Sequence, residues 1–163
     1  MAQECPCGHY GDPNKECACQ AGSVQKYMMR VSGPLMDRID LHIEVPAVKY
    51  RELASRESGE PSGRVRERVT LAREAQARRF DGHSGLFANA DMQSREIRQF
   101  CRIDDAGEEL LKLAIQKLGL SARAYDRILK VARTIADLGC SEAILPEHIG
   151  EAIQYRSLDR TLL

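Results

Sequence analysis

Hydrophobic positions along this chain fall into two regimes. From Ser62 onward they recur every three or four residues, the spacing of one buried helix face, whereas upstream the apolar runs are short and broken by Gly, Pro and Cys. The strongest pattern is LSARAYDRILKVARTIADL at Leu120–Leu138. Within it Ile128, Ala132, Ile135 and Ala136 form a stripe, Ser121 can cap the start through its hydroxyl, and Gly139 stands where a helix commonly stops. The other face carries Arg123, Arg127 and Lys130 at steps of four and three. Arg123 falls in the first turn, on the wrong side of the macrodipole for a cation, so its own helix gains little from it. That placement invites a functional explanation, against the plain alternative of a solvated basic face.

The same reasoning predicts a long helix over about Ser62–Phe80, with Val65, Val69, Ala72, Gln76 and Phe80 along one stripe. After a loop at Asp81–Asp91, in which Leu86 and Phe87 are placed to dock on the bundle, Ser94 caps a short helix ending near Cys101. Asp105 with Glu108 resembles a capping box for a helix to about Leu118, whose Leu110, Leu111, Ala114, Ile115 and Leu118 face a core. Gly119 then makes a tight helical hairpin with the Leu120–Leu138 helix. A last helix starts at Leu145 and Pro146 and turns Ile149, Ala152 and Ile153 inward. Arg133 and Asp137 read as a structural i,i+4 pair.

Upstream, Ser23 opens an amphipathic segment with Val24, Tyr27 and Met28 on one face, and Gly33-Pro34 begin a further turn carrying Leu35, Met36 and Arg38. In LHIEV, Leu41, Ile43 and Val45 alternate with His42 and Glu44, which reads as a strand ending at Pro46. A polar stretch broken by Gly59, Pro61 and Gly63 predicts a flexible connection near Ser58–Gly63.

Composition narrows the functional classes. The 163 residues contain 24 Lys and Arg against 24 Asp and Glu, so there is no global basic footprint and any nucleic-acid contact must come from a local patch. Aromatics are only 5% and Trp is absent, which suits packed helices with a Leu, Ile, Val and Ala core. No apolar run approaches the roughly 18 residues of a membrane span, and the expected location is cytoplasmic.

Two sets of residues carry candidate chemistry. Cys5 and Cys7, then Cys17 and Cys19, are paired C-x-C units whose four thiolates could close a tetrahedral zinc site, with Gly8, Gly11 and Pro13 letting the backbone fold back. Reduced free thiols are the alternative, disulfides fit a cytosolic chain poorly, and His9 is a competing ligand. Arg64, Arg66, Arg68 and Arg73 give the long helix a local excess of positive charge suited to phosphate backbones, or else a solvated face with pairs such as Glu74–Arg78. Cys101 and Cys140 lack partner spacing and read as small core or helix-end residues.

Three motifs in order, CPCGHYGD at Cys5–Asp12, RVSGPLMDRIDLHIEVP at Arg30–Pro46 and SARAYDRILKVARTIADL at Ser121–Leu138, followed by EAIQYRSLDR, closely resemble the C-terminal part of magnesium-chelatase-like AAA+ ATPases of the ComM or YifB type. The resemblance implies a mainly α fold. A helical-bundle lid would follow a cysteine-containing loop and a short strand left over from the α/β nucleotide-binding domain. It divides the chain into the end of the AAA+ core over residues 1–46, a linker over 47–63 and a C-terminal helical domain over 64–163. It puts the sensor-2 role on Arg123 and the arginine finger, which reaches the neighbouring subunit's nucleotide, on Arg38. It further implies ATP and Mg2+ as cofactors, a homo-oligomeric ring such as a hexamer, and DNA processing in competence and recombination, including branch migration.

Gln3 and Glu4 stand where the family has Asn-Pro, and with the start at Met1 this points to a boundary inside the ATPase domain, so sensor 1 cannot be placed. Neither a G-x-x-x-x-G-K-[ST] phosphate loop nor an apolar run ending in an acidic pair occurs, and the chain alone is not expected to hydrolyse ATP. A second hypothesis is a zinc-stabilised nucleic-acid or protein adaptor working without ATP. For Arg38 the spacing by itself would equally allow a salt bridge to Asp37 or Asp40.

Overall fold

A computed structural model describes residues 5–12, 15–30, 32–36, 38–43, 45, 48 and 59–156. The helices are α1 (Ala21–Met28), α2 (Gly33–Met36), α3 (Ser62–Arg79), α4 (Ser94–Phe100), α5 (Asp105–Leu118), α6 (Ala122–Leu138) and α7 (Pro146–Gln154), with a 3-10 turn at Asn89–Asp91. The fold is mainly α, as expected, and its C-terminal part is a helical lid domain. Among the described residues no helix is long and apolar enough to cross a membrane.

The lid is assembled around α6, which packs against α7, α3, α4 and the 3-10 turn, while α5 closes on α7. Ala124, Ile128, Leu129, Ala132 and Ala136 of α6 are buried, and Ile135 is half-buried at the edge. They meet Phe80, Met92, Ile97, Leu111, Ile144 and Ile149 in one core. Each such aliphatic or aromatic side chain contributes about 1.5–3 kcal/mol by leaving water. Cys101 belongs to this core, whereas Cys140 is exposed just beyond α6. Leu86 packs against the core but Phe87 is 73% exposed, while its backbone N–H donates to the Asp91 carboxylate at 2.9 Å.

Helix ends follow local chemistry. Ser121 Oγ accepts from the Ala124 N–H at 3.2 Å, as its position predicts. Gly119, at φ +62°, makes the left-handed turn between α5 and α6 that favours glycine. Two expected caps move. The cap of α5 is Asp104, not Asp105, its Oδ1 accepting from Gly107 N at 2.8 Å. At α4 Glu96 reaches back to the Gln93 N–H at 2.9 Å, which frees Ser94 Oγ to donate to Asp126 at 3.1 Å.

Three expectations are corrected. The helical pattern of α3 extends beyond the lid core: Ala72, Gln76 and Phe80 are buried, but every residue from Ser62 to Leu71 is exposed, Val65 and Val69 included. The connection ends sooner than expected, since Ser62 and Gly63 are already helical behind Pro61, whose fixed φ suits a helix start; its residues 49–58 lie outside those described. No strand forms at Leu41–Val45 among the described residues, Glu44 lying outside them. Leu41, Ile43 and Val45 are 46%, 64% and 69% exposed, and it is His42 that is buried. The physical reason is that, among the described residues, no neighbouring strand takes up this backbone. The His42 N–H instead donates to the Tyr155 carbonyl at 2.7 Å, beyond the end of α7, which turns the even position inward.

A charged cluster braces the bundle. The Asp137 carboxylate, almost wholly buried, accepts from Arg79, from Asn89 Nδ2 at 2.8 Å and from Arg133 Nε at 3.1 Å. Arg133 also donates to the Glu142 and Ser141 carbonyls at 2.8 and 2.6 Å, closing the turn after α6. Burial alone would raise the Asp137 carboxyl, but the bonds from Arg79, Asn89 and Arg133 outweigh it and hold it below the usual carboxylate range.

The basic cavity and the cysteine loop

The basic side of α6 forms one wall of a cavity of about 360 Å3, whose other walls are the Ala90–Ile97 stretch and Asp40. Capping by Ser121 fixes the register that brings Arg123, Arg127 and Lys130 to this wall. Arg123 is exposed in the first turn of α6, and among the described residues no hydrogen bond or ion pair engages it. Arg127 is paired with Asp40, and Lys130 Nζ donates to the Ala90 carbonyl at 2.9 Å. Two of the three cations are therefore engaged, while Arg123 stands at the start of the helix in a lining that also carries the Asp40 and Asp126 carboxylates.

Arg38 lies outside this cavity. Its Nη1 donates to the Pro34 carbonyl at 3.1 Å, and the acid suggested as its partner, Asp40, pairs with Arg127 instead; Asp37 is outside the described residues. The segment bearing Arg38 is held to the lid at Ile39 and Asp40. Arg156, 1% exposed, donates through Nη1 to the Ile39 carbonyl at 2.7 Å, and Asp40 takes Arg127. Arg156 is not announced by the sequence, and Asp40 only as a partner for Arg38, because their actual partners lie 117 and 87 residues away, where no local spacing points.

The four cysteines of the loop come together. Cys5 and Cys7 sulfurs are 3.4 Å apart, Cys7 and Cys17 3.5 Å, Cys5 and Cys17 3.7 Å, and all four, Cys19 included, lie within 4.8 Å of one another. All are free thiols, and together they can hold a metal ion. His9 is not among them; its ring lies 3.7 Å from the Asp12 carboxylate. The backbone N–H of His9 and then the Cys5 and Cys19 thiols favour the Cys7 thiolate and bring that group down to about 6.

The arginines of α3 divide. Arg68 makes a bidentate pair with Glu60 at 2.9 and 3.0 Å, and Arg73 donates to Gln76 at 3.2 Å. Arg64 and Arg66 are exposed on the free half of the helix. Arg78 lies 4.0 Å from Glu74, the solvated i,i+4 pair that the spacing suggests, and Arg79 is drawn into the core by Asp137.

These features define a helical lid with a basic face toward a cavity, preceded by a cysteine loop. Residues 59–156 match the family described as magnesium chelatase, subunit ChlI C-terminal, and residues 1–53 match magnesium chelatase, subunit ChlI. The chain belongs to this magnesium-chelatase-like family, of the ComM and YifB type. It is 42% identical over 96% of its length to competence protein ComM of Haemophilus influenzae and 41% identical over 97% to YifB of Escherichia coli. A Mycobacterium tuberculosis relative is 34% identical over 95%. In each case the chain spans about 30% of the relative's length.

Proposed function

We propose that this chain is the C-terminal part of an ATP-driven ring motor that processes DNA in competence and recombination, with the lid reporting nucleotide state. The observation that carries the reading is the unengaged Arg123 at the N-terminus of α6, facing a cavity walled by two further cations. Its forked guanidinium and the neighbouring backbone N–H groups suit phosphate oxygens. The residues present fit the phosphate side of a nucleotide only. ATP supplies the phosphoryl group and Mg2+ the charge neutralisation, and the groups that hold both fall to the portion that the full-length relatives carry upstream. Arg127, partnered by Asp40, would trade that carboxylate for phosphate as the lid closes. Arg38, exposed and outside the cavity lining, would exchange its bond to the Pro34 carbonyl for the nucleotide of a neighbouring copy in a homo-oligomeric ring. Placement in competence rests on the name of the Haemophilus relative. DNA contact is assigned to Arg64 and Arg66 on the exposed half of α3, while Arg68 and Arg73, already engaged, contribute less.

The test is steady-state ATP turnover, with and without branched DNA, by this chain joined to the upstream portion of a full-length relative. Arg123→Ala and Arg38→Ala should each lower turnover by at least about tenfold while rings still form, in line with electrostatic stabilisation by a single transition-state group. Turnover that survives both changes would overturn both assignments and favour an adaptor that works without ATP.

A further inference from the structure

The cysteine loop is left unexplained by a nucleotide-driven lid, and its geometry answers a different question. We infer that Cys5, Cys7, Cys17 and Cys19 bind one structural Zn2+ ion, which ties the loop into a fixed lead-in to α1. Four sulfurs at the corners of a tetrahedron with bonds of about 2.3 Å to zinc lie about 3.8 Å apart. Three of the separations here are 3.4, 3.5 and 3.7 Å, and the fourth sulfur is within 4.8 Å of the others, so one centre serves all four with small adjustments.

The backbone is already shaped for this. Gly8 at φ +79° and Gly11 at φ +76° fold two successive turns, Gly8 N bonding to Cys5 O at 3.2 Å and Asp12 N to His9 O at 3.1 Å. The turns aim the Tyr10 N–H at Cys5 Sγ, 3.3 Å away, the outer bond that steadies a metal-bound thiolate. Cys5 is fully buried, so its sulfur is turned away from solvent toward the cluster. The donor set is purely soft sulfur and offers no open position, so the site is structural rather than catalytic.

Binding replaces the S–H protons of the four thiols, releasing up to four protons and leaving a Zn(S-Cys)4 unit of net charge about −2. No electron moves. Such a staple supplies the order that a loop of this composition cannot obtain from packing. Because Gln20 at the end of the loop is the N-cap of α1, the ion also fixes where α1 begins. This assignment is independent of any ATPase role.

The experiment uses the whole 163-residue chain, purified from zinc-replete medium under reducing conditions, with metal content measured by atomic emission. One zinc per chain is expected, and Co2+ exchanged into the site should give the sulfur-to-metal charge-transfer absorption of a tetrathiolate. Cys7→Ser and Cys17→Ser should weaken zinc binding by more than the ~10–100-fold that loss of an outer-shell partner costs, whereas Cys140→Ser should retain the ion. The thermal transition of the lid, whose core contains none of the four residues, is followed in every variant, so metal loss is read in folded protein. Four free thiols with no retained metal in the folded chain would overturn the inference. So would mass loss from disulfide formation, or the visible absorption of bound iron.

Discussion

The lid and the segment before it are built by different means. In the lid, α3 to α7 close on one another and almost every helix end is satisfied from within. Between Met29 and Val48, by contrast, Met29, Leu35, Ile39, Leu41, Ile43, Val45 and Val48 are all 40% exposed or more. That segment is positioned by polar contacts with the lid, from Arg156 to Ile39, Arg127 to Asp40 and His42 to Tyr155. The lid is a body that specifies itself, and the upstream segment borrows its placement from the lid. The residues that follow Arg38, Ile39 and Asp40, are thus bonded to the same lid that carries Arg123.

The sharpest way to break this contrast is at Asp137. Asp137→Asn leaves Arg79 and Arg133 without their shared charge and should destabilise the lid by about 3–5 kcal/mol, read from chemical denaturation. The pH dependence follows from the depressed carboxyl. Its contribution is fully present above the unfolded value of about 3.9 and is lost as pH falls through the lower folded value. The wild-type chain should accordingly lose stability more steeply below about pH 4 than Asp137→Asn does.

Gly107→Ala comes next. A Cβ there would sit 2.7 Å from Ile149 Cδ1 and 3.1 Å from the Asp104 cap oxygen. The overpacking cost of about 1–3 kcal/mol exceeds the ~0.5–1 kcal/mol that alanine gains in a helix, so a net loss of about 1 kcal/mol is expected by thermal unfolding. The smallest effect belongs upstream. Ile43→Ser, at a residue 64% exposed, should change the stability of the isolated chain by less than about 0.5 kcal/mol. A larger loss would mean that the segment is packed rather than docked.

What could be read from sequence follows the same division. The Ser121 cap, the Gly119 turn and the buried stripe of α6 were legible because each depends on residues within a turn or two. Asp137 was legible only in its pairing with Arg133; the Arg79 bond, from 58 residues away, converts a surface-type pair into a buried brace. At Leu41–Val45 the alternation was read correctly as a pattern but not as an outcome, since periodicity states what a segment can bury and not whether a partner strand is there to bury it. The cysteine spacing suggested a cluster and Gly8 and Gly11 the fold-back that closes it, whereas the sulfur separations depend on backbone angles that spacing does not contain.

Residue-resolved amide hydrogen exchange on the chain tests the account most directly. Buried stretches of α5, α6 and α7 should exchange only on global unfolding and α2 should exchange rapidly. The His42 amide should be slowed well beyond its neighbours by its bond to Tyr155, and Arg156→Ala should speed it while leaving α6 protected. Equal protection of the segment and the lid, or a His42 amide that exchanges as fast as an open chain, would contradict the picture of a self-standing lid carrying a docked arginine segment.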